Sequence, residues 1–226
     1  MADVTARNHF ALLLGAEPRE LEELLSRARR RRFSPGEVVF HAGDPADTLH
    51  LVRSGHFAVR ITTEYGATAT INILGPGDAF GELALLSPGA PRSATVAALE
   101  EGETLSVHEI DFGRLRAQRP EIDGFVASLL AGRVRGLSEQ LVEALYLPVD
   151  TRVRRRLLHA VAVYGAVEPG AVVPLTQEEL ASLAGTSRAT VNRVLREEQE
   201  LGTVALTRGR TTLLDPEALE RRARGL

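Results

Sequence analysis

Hydrophobic and polar positions change their period along the chain. Residues 17–32 place apolar side chains at helical spacing, which predicts an amphipathic helix that ends in four consecutive arginines. From residue 33 to 110 the pattern changes to short β-rich runs separated by glycine-containing turns, as in an antiparallel barrel or roll. The runs predicted as strands are residues 38–40, 48–53, 57–62, 68–74, 94–99 and 104–110.

A long helix is predicted over residues 121–145, with Pro120 at its start. Its apolar positions recur every three or four residues, a repeat typical of a helix packed along a partner helix in a coiled coil. The alternative is an ordinary helix that lies on its own barrel. The stripe consists of Ile122, Val126, Leu130, Val134, Leu137, Leu141 and Leu145.

Residues 147–150, Leu-Pro-Val-Asp, interrupt this helix and are the predicted hinge. Asp150 or Thr151 is predicted to cap the next helix, residues 152–164, because short polar side chains accept from the free N–H groups of a first turn. A loop rich in Gly and Pro is predicted over residues 166–174.

The segment after this loop predicts a helix-turn-helix. Thr176 and Glu179 have the spacing of a capping box, Gly185 closes the first helix, and Thr186-Ser187 caps the second. One arc of the second helix carries Arg and Asn near its N-terminus, a surface that suits a DNA major groove. The alternative is a helical hairpin with a solvated charged face. Residues 203–207 and 210–214 predict a hairpin, the wing of a winged helix.

Composition narrows the classes of protein. A length of 226 residues suggests one or two domains, and 44% hydrophobic content suits a packed core. Cysteine is absent, which excludes disulfides, thiolate zinc sites and cysteine-held iron–sulfur clusters and is compatible with the cytoplasm. Every basic residue is Arg, so P-loop and Schiff-base lysine chemistry are excluded as well. No apolar run reaches membrane-spanning length, and no signal peptide is predicted.

The net charge of −3 divides unevenly along the chain. Residues 148–226 contain 12 Arg against 10 Asp and Glu, a net +2, which leaves −5 for the remainder. This asymmetry favours the C-terminal part as the one that binds DNA.

Residues 80–98, with a Gly-Glu-Leu-Ala turn and a later Arg-Ser-Ala, predict an anion site. Backbone N–H groups at the start of helix 83–86 can face a phosphate, while Arg92 offers a fork of donors and Ser93 a hydroxyl. Glu82 repels a phosphate but accepts from a sugar hydroxyl, so the set predicts a nucleotide with one phosphate and a free ribose hydroxyl. The alternative is a ligand-free roll in which Arg92 pairs with Glu82.

This stretch resembles the phosphate-binding cassette of cyclic-nucleotide-binding domains. The resemblance implies ligand contacts from the cassette and, on the long helix, from an adjacent pair of residues that reaches the base. Ser138 keeps a hydroxyl in that pair, whereas Leu137 departs from the family's polar residue. The implied ligand-binding residues are Gly81, Glu82, Leu83, Ala84, Arg92, Ser93, Leu137 and Ser138.

The order of roll, long helix and winged helix-turn-helix resembles the cyclic AMP receptor protein and fumarate–nitrate regulator (Crp/Fnr) family over nearly the whole chain. The resemblance implies an α+β fold: a β-roll domain (1–119), a dimerisation helix (120–147) and a winged helix-turn-helix domain (148–226). The lack of cysteine rules out the iron–sulfur branch of the family. The implied DNA-binding residues are Gln177, Ser187, Arg188, Ala189, Thr190, Asn192 and Arg193.

We therefore expect a cytoplasmic, homodimeric transcription regulator whose DNA binding is controlled by a cyclic nucleotide, with cAMP favoured over cGMP and no metal. Its expected partners are palindromic double-stranded promoter DNA and RNA polymerase, with no membrane. One alternative is an effector-independent regulator with a vestigial pocket. Another is a nucleotide hydrolase, which requires a metal cluster or a nucleophile–base pair that the sequence does not suggest.

Overall fold

A computed structural model describes residues 25–86, 89–118 and 122–225. The chain divides into two compact units, one formed by residues up to 61 with 74–136, the other by 62–73 with 137–226. Most of the helix predicted over residues 17–32 lies outside the described residues. The predicted α+β class is confirmed, because antiparallel sheets precede a long helix and a helical C-terminal unit.

Two four-stranded sheets form the roll, in the orders β1-β8-β3-β6 and β2-β7-β4-β5. All six predicted strands are present, with shifted ends in three of them, and β1 and β6 are additions. The strands are β1 Arg29–Phe33, β2 Val38–Phe40, β3 Thr48–Ser54, β4 Phe57–Thr62, β5 Thr68–Leu74, β6 Ala79–Phe80, β7 Thr95–Ala98 and β8 Gly102–His108.

The arginine run forms strand β1, so the prediction of a helix through residue 32 was wrong. β1 pairs antiparallel with β8, and Arg29 lies opposite Ser106. Arg30 and Arg32 are two residues apart on one face of the strand, and both pair with Glu103, at 2.5 and 3.4 Å. Pairing with a distant strand therefore decides the conformation of this segment.

The first unit also contains helices α1 Leu83–Leu86 and α2 Glu109–Gln118, and the long helix α3 Ile122–Tyr146 begins in it. α2 was not predicted; its first turn carries Glu109 and Asp111, which complement the helix dipole. α3 agrees closely with the predicted long helix, although its predicted start at Pro120 lies outside the described residues.

The apolar stripe of α3 is divided between two environments. Ile122 and Val126 are buried in a core that includes Leu49, Leu51 and Phe112. Farther along the helix the apolar positions are solvent-exposed, so only the first part of the stripe packs on the roll and the packing along a partner helix stays a prediction. The exposed positions are Val134, Leu137, Leu141, Val142 and Leu145.

The second unit contains a winged helix. Strands β9, β10 and β11 form a sheet in the order β10-β11-β9, and β9 lies in the predicted Gly/Pro loop. None of the helices in the described part of the chain has the length and apolar character needed to cross a bilayer. The elements are α4 Val149–Tyr164, β9 Val172–Val173, α5 Gln177–Ala184, α6 Arg188–Glu200, β10 Val204–Thr207, β11 Arg210–Leu213 and α7 Pro216–Ala223.

The start of α4 differs from the prediction. The helix begins directly after Pro148, which occupies the capping position and forms no side-chain cap. Because Pro has a fixed φ that already suits a helix start, the helix begins before the predicted caps Asp150 and Thr151 are reached. The Asp150 side chain instead bonds to Arg193 on α6.

The helix-turn-helix follows its predicted turn chemistry. Thr176 and Glu179 form the complete capping box of α5, and Gly185 ends that helix in the left-handed region at φ 60°. Ser187 caps α6 by accepting from the Thr190 N–H at 3.1 Å. The helix-turn-helix is thereby confirmed, as is the hairpin β10–β11.

A buried ion cluster supports the inner face of α6. Glu198 is fully buried and accepts from Nε of Arg154 at 2.5 Å, Nε of Arg222 at 2.8 Å and the Thr203 hydroxyl at 2.7 Å. Burial acts to raise the pKa of Glu198, but the hydrogen bonds from Arg222, Arg154 and Thr203 keep it below its ordinary value. The carboxylate joins α4, α6 and α7 within the unit.

Candidate functional site

Arg92 is the central cation of the predicted cassette, and it is 6% exposed. Its Nη1 donates to the Thr48 carbonyl at 2.8 Å, and its Nη2 donates to the Thr48 hydroxyl at 2.7 Å. The guanidinium lies 4.1 Å above the Phe40 ring, and Asp47 is 3.6 Å away. Burial lowers the pKa of Arg92, an effect that nearby carboxylates, Asp47 foremost, partly offset.

One guanidinium nitrogen of Arg92 is left without a partner among the described residues. This nitrogen is Nε, which is buried. A buried N–H without an acceptor is costly, and a guanidinium edge matches the oxygens of a phosphate. The residues present therefore fit an anionic group at this position.

Glu82 pairs with Arg133 and not with Arg92, so the alternative of an Arg92–Glu82 pair is wrong. The Glu82 carboxylate is buried, 3.0 Å from Nε of Arg133, and Nη2 of Arg133 donates to the Ala79 carbonyl at 2.8 Å. Sequence reasoning missed Arg133. Its position one turn before Leu137 and Ser138 on the same helix was the available signal.

Position 81 must be glycine, because Arg92 and Thr48 lie too close to its Cα to leave room for a side chain. Its φ is +81°, and a Cβ there would lie 2.7 Å from both Nη1 of Arg92 and the Thr48 carbonyl oxygen. The short helix α1 follows directly, with Leu83 exposed, and Ser93 is exposed beside Arg92. The side chain of Ala84 is not among those described. Leu137 and Ser138 are both exposed on α3.

His50 lies behind Arg92 and is almost wholly buried. Its ring stacks on Phe80 at 5.0 Å, Nε2 is 3.3 Å from the Thr48 hydroxyl, and Nδ1 is 3.0 Å from the Thr104 hydroxyl. Burial, followed by the charges of Arg92 and Arg31, lowers the pKa of His50 to about 3. The ring is therefore neutral and connects the hydroxyl that holds Arg92 to the interior of the sheet.

A second candidate site is a groove in the winged helix, with a volume of about 880 Å³. Gln177, Arg188 and Asn192 contribute from the helix-turn-helix, and Nδ2 of Asn192 donates to Oε1 of Gln177 at 3.0 Å. Arg208 and Arg210, at the turn of the β10–β11 hairpin, also line the groove. Sequence reasoning did not select these two arginines, although the Arg-Gly-Arg turn of the predicted hairpin was visible.

The remaining predicted DNA contacts lie at the start of α6. Arg188 and Ala189 are exposed, and the hydroxyls of Ser187 and Thr190 are 3.0 Å apart. Arg193 is exposed on the next turn and pairs with Asp150. The helix thus presents donors of the kind that base edges and phosphates accept.

Comparisons with known proteins agree with this architecture. A family model for the cyclic nucleotide-binding domain matches residues 30–119, and one for the Crp-like helix-turn-helix domain matches residues 151–222. The "CRP-like cAMP-activated global transcriptional regulator" of Mycobacterium tuberculosis is 33% identical over 227 residues, covering 99% of this chain and 100% of the relative.

The chain is also similar to a sequence and a structure from Thermus thermophilus. The "Cyclic AMP receptor protein" of that organism is 36% identical over 215 residues, covering 95% of this chain and 97% of the relative. The crystal structure of its catabolite activator protein matches with a TM-score of 0.54 at 35% identity, covering 95% of this chain and 99% of that one. The fold alone is shared with the regulator CLP of Xanthomonas campestris, with a TM-score of 0.77 at 23% identity over 88% of this chain and 99% of that one.

A nucleotide cassette joined to a winged helix defines a ligand-controlled DNA-binding protein. The chain belongs to the Crp/Fnr family of transcription regulators. Its function is DNA-binding regulation of transcription under the control of a cyclic nucleotide.

The low pKa of His50 predicts an acid-sensitive fold. In the unfolded chain the His50 ring takes up a proton near pH 6.5, whereas in the folded protein it does so only near pH 3. The contribution of neutral His50 to the free energy of unfolding is therefore complete above pH 6.5 and is lost as the pH falls toward 3. Between pH 7 and about pH 5 this loss amounts to about 2 kcal/mol of unfolding free energy.

Urea unfolding at pH 7 and about pH 5 measures this loss of unfolding free energy. The His50→Gln variant should lack the part of the loss that comes from protonation of His50. His41→Gln, which changes an exposed histidine in the same roll, should retain it. An equal loss in wild type and His50→Gln would show that the buried ring titrates normally.

Proposed function

We propose that this protein is a homodimeric regulator whose binding to palindromic promoter DNA is controlled by cAMP. The observation that carries the proposal is the buried Arg92, whose Nε–H has no acceptor among the described residues. Relatives that span nearly the whole chain carry names that specify cAMP. Such a regulator acts in the cytoplasm, on chromosomal DNA, through RNA polymerase.

The cassette residues take distinct roles in this proposal. When bound, cAMP supplies one anionic phosphate and a ribose hydroxyl. Arg92 and Ser93 hold the phosphate together with backbone N–H groups of Leu83 and Ala84, while Gly81 leaves room for the Arg92 fork. The Glu82 carboxylate, held in place by Arg133, accepts from the ribose hydroxyl.

The base contact separates this proposal from its alternative. Ser138 offers a hydroxyl to the purine, whereas Leu137 offers only apolar surface where the family has a polar side chain. This departure favours an effector-independent regulator with a vestigial pocket. Arg92 favours the ligand-controlled form, because its buried Nε–H lacks an acceptor among the described residues even though Asp47 lies 3.6 Å from the guanidinium.

We propose the three parts 1–119, 120–147 and 148–226 as the ligand, dimer and DNA modules. Ligand control is a population shift, and its size cannot exceed the difference in ligand affinity between the two states. The chain regulates and does not hydrolyse the nucleotide. Turnover of cAMP on incubation with the protein would refute that last statement.

The first test of the proposal is nucleotide binding. Arg92→Ala removes a charge-assisted contact and should weaken cAMP binding by about 1.5–3 kcal/mol in a calorimetric titration. Arg53→Ala, which removes an arginine from strand β3 of the same sheet, should bind like wild type. Titration with cGMP measures the base preference. Equal affinities for wild type and Arg92→Ala would remove Arg92 from the site, and no binding by wild type would favour the effector-independent alternative.

The second test concerns the dimer. The exposed apolar half of α3, with Leu141 60% and Leu145 65% exposed, is the proposed seam between two copies. Leu141→Glu places a charge that both chains must desolvate, so sedimentation should show monomers or insoluble protein. Glu139→Arg changes the charge about 200° around the helix and should remain dimeric. A soluble, dimeric Leu141→Glu variant would place the seam elsewhere.

The third test is a selection from random DNA with and without cAMP. We expect a two-fold palindrome that keeps guanines opposite Arg188 and Arg193, because arginine donates to both O6 and N7 of guanine. Ala189 cannot accept a hydrogen bond, so discrimination at its base pair should be relaxed. Asn192 favours adenine, while Ser187, Thr190 and Gln177 contact the backbone and contribute affinity without sequence preference.

A matched pair of arginine variants checks this assignment. Arg193→Ala should cost about 1–3 kcal/mol on the preferred site and flatten selectivity at one base pair. Arg208→Ala at the wing tip should weaken binding to all sequences alike. A selection that returned no palindrome, or a strong cytosine requirement opposite Ala189, would contradict the assignment.

A further inference from the structure

We propose that Asp150 is a positioning residue for base recognition, and that its carboxylate fixes the Arg193 guanidinium in the orientation that reads guanine. This inference rests on the proposed DNA-binding function and adds a residue to it. Asp150 lies in the first turn of α4, outside the helix-turn-helix, and it is none of the residues selected from the sequence as DNA contacts.

The contact between the two side chains is bidentate. Nη1 of Arg193 donates to Oδ2 of Asp150 at 3.1 Å, and Nη2 donates to Oδ1 at 2.5 Å. The hydrogen bond from Arg193 lowers the pKa of Asp150, so the carboxylate remains charged at neutral pH. Asp150 is not engaged in capping, since α4 starts at Pro148 without a side-chain cap.

The Arg193–Asp150 pair leaves Arg193 able to bind DNA. A guanidinium has five N–H donors, of which the carboxylate takes one from each Nη. The Nε–H and the outer N–H of Nη2 lie side by side on the adjacent edge of the same plane. That edge is itself a two-donor fork that matches O6 and N7 of guanine, so Arg193 can bind Asp150 and a base at the same time.

The benefit of the pair is preorganisation. A long side chain on an exposed helix face loses rotamer freedom when it binds, and a partner that orders it beforehand lowers that cost. Arg188 provides the internal comparison. It lines the groove, and no carboxylate in the described part of the chain pairs with it.

The carboxylate also lowers affinity for arbitrary sequences. A negative charge beside the DNA-facing arc repels phosphates wherever the protein lies on DNA. Asp150 therefore acts on specificity in two ways: it favours guanine at one position and disfavours contacts that depend on charge alone.

The test measures base discrimination in variants of the full-length protein with cAMP present. Fluorescence anisotropy compares the selected palindrome with sites in which one base pair is replaced symmetrically. The base pair read by Arg193 is the one at which Arg193→Ala loses discrimination. At that base pair Asp150→Ala should reduce discrimination about 2- to 10-fold, while discrimination opposite Arg188 stays at the wild-type level. Affinity for unrelated DNA should rise.

Two further variants keep the test decisive. Asp150→Asn retains one acceptor and should give intermediate discrimination. In the Arg193→Ala background, Asp150→Ala should have no further effect at that base pair. Discrimination is a ratio of affinities within one variant, so a smaller folded fraction cancels from it.

Each contrary result has a separate meaning. Unchanged discrimination in Asp150→Ala, with tighter binding to every sequence, would overturn the inference and leave the proposed function intact, because Asp150 would then only repel DNA or compete for Arg193. Failure of Arg193→Ala to alter any base pair would overturn the assignment of Arg193 as a base reader, and the role of Asp150 with it.

Discussion

The buried guanidinium of Arg92 is the constraint on which the first unit depends. A cation removed from water must be stabilised by its neighbours, and the roll supplies two oxygens of Thr48, the ring of Phe40 and the carboxylate of Asp47 at 3.6 Å. Thr48 holds two of its nitrogens, Gly81 leaves space beside it, and His50 must remain neutral behind it. These requirements fix the identities of residues on separate strands. In the proposed function, the phosphate of the ligand accepts a hydrogen bond from the Arg92 Nε–H, which has no acceptor among the described residues.

Elements that depend on neighbouring residues could be predicted from the sequence, whereas elements that depend on pairing with distant residues could not. The helix-turn-helix depends on caps and a glycine within a few residues of each other, so Thr176, Gly185 and Ser187 were sufficient to predict it. Strand β1 exists because β8 pairs with it from about seventy residues away. The four consecutive arginines do not by themselves indicate that this segment pairs with another strand.

The same distinction applies to the candidate sites. The cassette residues lie within a short stretch whose turn chemistry is readable, whereas Arg133 and Asp150 act on partners far away in the sequence. α3 shows the limit most clearly. Its apolar repeat is nearly uniform, yet Val126 is buried and Leu141 is exposed, because only packing against the roll distinguishes the two halves. Periodicity finds a face, but the neighbouring elements decide what covers it.

The ion cluster beneath α6 has a consequence for how this regulator can change its targets. Glu198, Arg154 and Arg222 anchor the helix from its inner side, and Val191, Val194 and Leu195 are buried with them. None of these groups belongs to the outer arc of Arg188, Ala189 and Asn192. The residues that stabilise the fold and the residues proposed to recognise bases therefore lie on different faces of α6. New operator sequences can be acquired by exchanging outer residues, and a family of regulators with different regulons can diverge from this scaffold without losing its stability.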